Sequence, residues 1–138
     1  MSEIADFLRA RYAEQRALAL AASPGPWQPN DEHDEVIAVD GITVAEGFAL
    51  SGQQLRATVD HIAAHDPAAV LADLDAKLAI VDWHGAREAT GFDADGWEHT
   101  GNACQTCLAG DDWPCRTLRL LARPFAKHPD HKGEEWAP

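Results

Sequence analysis

Basic residues are scarce in this chain. Only 11 of its 138 residues are Lys or Arg, against 23 Asp or Glu, which leaves a formal net charge of −12. Phosphate backbones are held by clustered Lys and Arg, so no nucleic-acid partner is expected; an acidic surface suits a basic protein partner instead. No run approaches the ~20 apolar residues of a membrane span. Met1-Ser2-Glu3-Ile4 lacks the basic start and apolar stretch of a secretion signal. A cytoplasmic protein with no membrane partner is the expectation.

Cysteine is scarce too. There are three, an odd number that cannot pair fully within one chain. In a compartment that keeps thiols reduced, metal binding explains them better than a disulfide. Fingerprints of common chemistries are also missing: there is no G-x-S-x-G, no P-loop and no dinucleotide-binding glycine motif. No catalytic residue is assigned, and the balance leans away from an enzyme.

What the chain does contain is an α+β pattern. Ser2 is a suitable N-cap for a helix over 2–22, with Ile4, Phe7, Leu8 and Tyr12 as its apolar stripe. Ser23-Pro24-Gly25-Pro26 stops it, and Trp27 follows as an anchor. Val36–Val39, Asp40-Gly41 and Ile42–Ala45 read as a hairpin with a two-residue type I′ turn. That turn would pair Val39 with Ile42 and Ile37 with Val44 on one covered face. The segment around Trp27 offers a third strand.

Ser51-Gly52-Gln53-Gln54 is a capping box opening a helix to about His65. Asp66-Pro67 then restarts a helix to about His84, with Val70, Leu71, Leu74, Leu78 and Val81 inward. Residues 85–103 are rich in Gly, Asp and Thr and read as a loop. Asp112-Trp113-Pro114 opens a last helix carrying Leu118, Leu120 and Leu121, limited by Pro124. The expected fold is a single domain over 1–138. It has helices packed on a small antiparallel hairpin or three-stranded sheet (1–84), then a zinc-knuckle loop and C-terminal helix (85–138).

The chemistry concentrates in Cys104-Gln-Thr-Cys107 and Cys115. Thiolates at that spacing close readily around Zn²⁺, which favours four S or N ligands in a tetrahedron. Cys115, in the first turn of the last helix, would also have its thiolate favoured by the helix dipole. His84, at the end of the preceding helix, is the first choice of fourth ligand; His99 and His128 are the others. A structural Zn²⁺ on Cys104, Cys107, Cys115 and His84 is the leading reading. Of nearby carboxylates only Glu98 stands out as a base for a catalytic metal.

His61 and His65 share a helical face and have Asp60 and Asp66 beside them, which gives the rival reading of a metal-dependent hydrolase. Ile62 stands where an H-E-x-x-H motif needs Glu. The −12 charge supplies a third reading, an acidic DNA-mimic inhibitor. Asp31-Glu32-His33-Asp34-Glu35 reads as a solvated loop, and Trp27, Trp83, Trp97, Trp113 and Trp136 divide between core and a partner surface.

Several stretches together resemble an uncharacterised family of small actinobacterial and actinophage proteins, common in Streptomyces and their prophages. They are Phe7-Leu8-Arg9-Ala10-Arg11, Ser23-Pro24-Gly25-Pro26-Trp27, Thr58–Ala63 with His65-Asp66-Pro67, and Trp113-Pro114-Cys115-Arg116-Thr117 through His128-Pro129-Asp130 to Glu135-Trp136. In that family C-x2-C precedes P-C-R-T, which Cys104, Cys107 and Cys115 match, and a His like His84 ends the second central helix. Residues 23–75 are more loosely similar to the Ead-like phage accessory family. The resemblance implies a phage or prophage accessory role and no activity.

Overall fold

Helix α1 (Glu3–Ala21) forms where the sequence places its apolar stripe. Ile4, Ala5, Phe7, Leu8 and Tyr12 recur at helical spacing and are buried, and Glu3 and Asp6 in the first turn suit the positive end of the helix dipole. The computed structural model describes residues 3–107 and 113–138. The Ser2 cap and the Asp112 opening therefore lie outside the described residues. The chain divides into two compact units, 13–75 and 1–12 with 76–138.

The first unit holds a three-stranded antiparallel sheet in the order β1 (Gln28–Pro29), β2 (Glu35–Ile37), β3 (Thr43–Glu46). The third strand expected near Trp27 is β1. Helix α2 (Gly52–Ala64) covers the sheet, with Val36, Val59 and Ala63 buried together and Trp27, Val44, Leu55 and Ile62 packed on them. Ser51 Oγ accepts from the Gln54 N–H at 3.1 Å, as the capping box requires.

The β2–β3 hairpin corrects the sequence reading. A type I′ turn needs positive φ at both loop residues. Gly41 has it (φ +82°), but Asp40 does not. The loop is instead three residues, Val39-Asp40-Gly41, closed by Ala38 N–H to Ile42 O at 2.9 Å and turned by Gly41 N–H to Ala38 O at 2.9 Å. Val36 then faces Ala45 and Ile37 faces Thr43, so Val44 bulges. Val39 and Ile42, expected under cover, are 60 % and 57 % exposed.

Helix α3 (Pro67–Trp83) starts on the expected cap: Asp66 Oδ1 accepts from the Ala69 N–H at 2.8 Å. Leu74 and Val81 are buried and Val70, Leu71 and Leu78 half-buried, as the sequence pattern indicates.

Residues 85–103, expected as one loop, are mostly strand. Ala86–Phe92 (β4) and Glu98–Cys104 (β5) pair over seven residues as an antiparallel ribbon. Their side chains are nearly all exposed, so the apolar alternation that marks a half-buried strand is absent from the sequence. The ribbon turns by the same device as β2–β3. Asp93 N–H reaches Trp97 O, Gly96 N–H reaches Asp93 O, and Gly96 takes φ +84°. The chain ends with α4 (Arg116–Ala122) and short 3-10 turns at Arg123–Phe125 and Gly133–Trp136. Leu118 is buried there, while Leu120 is 44 % exposed.

Candidate metal centre

The ribbon brings the site together. His84 directly follows α3, and its N–H still bonds to Ile80 O at 3.0 Å. Two residues later β4 begins, and Ala86 pairs with Cys104. The strand that leaves the helix end thus returns to it, which sets Cys104 beside His84 across 20 residues of sequence. Cys107 follows at the next turn, and Cys115 arrives as the N-cap residue of α4.

His84 Nδ1 stands 3.4 Å from Cys104 Sγ, 3.5 Å from Cys107 Sγ and 3.7 Å from Cys115 Sγ. All four donor atoms lie within 4.8 Å of one another. One imidazole nitrogen carries a single proton or a single lone pair, so three sulfurs around it cannot all be hydrogen-bonded to it. Zinc bond lengths of about 2.3 Å to sulfur and about 2.05 Å to nitrogen give tetrahedral S···N edges of about 3.6 Å. The observed distances fit that edge. These four residues could hold a metal ion, and among the described residues they are the one such group of three or more His, Cys, Asp or Glu.

Cys104 and Cys115 are buried, while Cys107 and His84 are half-buried. Burial alone would push the Cys104 thiol up. The Cys107 and Thr106 N–H groups, with the His84 and Cys107 side chains, outweigh burial and bring it from 9.0 to about 7. Burial and the neighbouring sulfurs of Cys104 and Cys115 push Cys107 up to about 12. Cys115 is raised as well, chiefly by burial, against the lowering expected from the helix dipole. Three crowded sulfurs cannot all ionise without a cation among them.

The residues between the first two cysteines were not singled out by their sequence. Gln105 Nε2 donates to Asp82 O at 2.8 Å and to Trp83 O at 3.2 Å, and Thr106 Oγ1 donates to Trp83 O. Gln105 N–H bonds to Gly85 O at 2.9 Å. No spacing rule reveals these contacts, because their acceptors are backbone carbonyls at a helix end.

The other candidate histidines lie elsewhere. His99 sits on β5 opposite Gly91, five residues along the strand from Cys104. His128 meets the Arg11 guanidinium and packs edge-on to Phe7. His61 and His65 do come together, with ring centroids 4.4 Å apart and planes tilted by 48°, but His65 Nδ1 donates to His61 O at 2.7 Å. Both neighbouring carboxylates are engaged: Asp60 with His33 Nδ1 at 2.8 Å, and Asp66 as a cap.

A small α+β chain with a clustered Cys₃His donor set at the end of a helix is the class that fold and site define. The chain belongs to the family of unknown function DUF6221, whose model matches residues 1–138. No curated protein and no solved structure matches it.

Proposed function

We propose that this is a non-enzymatic protein-interaction module of the phage or prophage accessory type, stapled by one structural Zn²⁺ on Cys104, Cys107, Cys115 and His84. The observation that carries the metal is the convergence of three sulfurs on one ring nitrogen at 3.4–3.7 Å. Zinc suits a soft, three-thiolate donor set. Four protein ligands leave no coordination position for water or substrate, which favours a staple over a catalyst.

The interaction role draws on the outward aromatics of the second unit and on charge. Trp83, Phe92 and Trp97 are 68 %, 72 % and 74 % exposed. With net charge −12, a basic protein is the partner that suits them. The accessory role rests on the family resemblance of the C-x2-C and P-C-R-T segments.

Elemental analysis of the purified chain tests the metal. One zinc per chain is expected, and its removal by a chelator should lower the melting temperature. A chelated protein with an unchanged melting curve refutes the staple. A second bound equivalent lost in His61→Ala would favour the hydrolase reading.

A further inference from the structure

The end of α3 presents a specific difficulty for a metal ligand. The last carbonyls of a helix have no partner within it, and such ends fray. His84 sits at that fraying end, yet its Nδ1 is held at 3.4–3.7 Å from all three sulfurs at once. Beyond the local bonds from His84 N–H to Ile80 O and from Gly85 N–H to Asp82 O, the bonds around it come from one source. Trp83 O, immediately before His84, accepts from Gln105 Nε2 and Thr106 Oγ1, and Gly85 O, immediately after it, accepts from Gln105 N–H. Asp82 O accepts from Gln105 Nε2 as well. The carboxamide's two N–H donors thus serve the last two carbonyls of α3.

Gly85 fits this arrangement. A Cβ there would stand 3.3 Å from Gln105 Nε2 and 3.4 Å from Asp82 O, so any side chain would press on the clamp. The clamping residues also lie between Cys104 and Cys107, so whatever fixes the helix end fixes the two thiols with it.

We infer that Gln105 and Thr106 are positioning residues for the metal: they lock the main chain on both sides of His84 so that its Nδ1 faces the three sulfurs. This rests on the zinc reading above. Outer partners of a metal ligand set its orientation, and their loss typically costs about 10- to 100-fold in metal affinity.

The test is competition of full-length protein with a chromophoric zinc chelator, paired with the absorption spectrum of the Co²⁺-loaded chain. Thr106→Val and Gln105→Met keep side-chain bulk and remove the side-chain donors, leaving the Gln105 N–H bond to Gly85 O in place; Thr106→Ser keeps the hydroxyl. The double variant Gln105→Met/Thr106→Val should bind zinc about 10- to 100-fold more weakly. Its Co²⁺ bands should shift as the imidazole is held less well while the thiolate charge-transfer bands persist, and Thr106→Ser should match the parent. Should the double variant fail to fold, Thr106→Val read against Thr106→Ser carries the same comparison. An unchanged affinity and spectrum in the variants without the side-chain donors overturns the positioning role of these two side chains and leaves the zinc reading standing. A parent chain that binds neither metal overturns both.

Discussion

Asp66 and Trp27 are joined by a bond from the Trp27 N–H to Asp66 Oδ2 at 3.1 Å, across 39 residues of sequence. The other oxygen of the same carboxylate caps α3. One buried side chain thus ties the turn before the sheet to the start of a helix. Asp66→Ala should cost about 2–3 kcal/mol, from a lost cap and an N–H left unpaired. Asp66→Asn should recover part of that. Gly25 lies against the same carboxylate, since a Cβ there would come within 2.8 Å of Oδ2. Gly25→Ala should therefore destabilise too, as read by denaturant midpoint. Unfolding free energies within about 0.5 kcal/mol of the parent would show that this tie carries no weight.

Removing a donor should be harsher than removing a clamp. His84→Ala and Cys115→Ser are each expected to weaken zinc by more than the roughly 100-fold upper range of outer-partner losses. His99→Ala should leave one zinc per chain, because His99 lies five residues along the strand from Cys104. Stoichiometry by elemental analysis separates the cases, and loss of zinc in His99→Ala would put the ligand set elsewhere.

Metal affinity should rise with pH. At pH 7 the Cys104 thiol, at about 7, is roughly half ionised, while Cys107, at about 12, and Cys115, above its ordinary value, hold their protons. All three must lose them to ligate, so zinc binding at pH 7 should release about two to three protons. Calorimetry in buffers of different ionisation enthalpy counts them. Release of fewer than one would mean that the sulfurs are not the ligands.

Gly41 and Gly96 occupy the same left-handed position in two three-residue hairpin loops. Ala at either should cost about 1–2 kcal/mol of local stability. Gly96→Ala should loosen the ribbon, seen as faster amide exchange in β4 and β5, and Asn should be better tolerated than Ala. Equal exchange in Gly96→Ala and the parent counts against the shared loop geometry.

The grouping of His84 with the three cysteines, which could hold a metal ion, was legible because spacing alone restricts where two thiols can go, and because His84 ends a helix whose pattern is clear. The caps at Ser51 and Asp66 were legible for the same local reason. The ribbon was not. Thr90 and Thr100 are its only β-branched residues, Gly91 and Gly101 dilute it, and nothing in it alternates between apolar and polar. Its strands are fixed by their turn and by the knuckle at their base, and burial leaves no mark on the sequence. The type I′ assignment at Asp40-Gly41 failed because Asp-Gly also suits a longer loop that needs left-handed backbone only at the Gly.

The pairing of Ala86 with Cys104 has a practical corollary for how this chain can vary. The donors gather where the two strands join the helix, while Phe92 and Trp97 stand at the far tip. Paired insertions or deletions near residues 92–98 would lengthen or shorten the ribbon and leave the sulfurs in register. The tip is thus a grafting point whose outward chemistry can be rewritten without disturbing what holds the root.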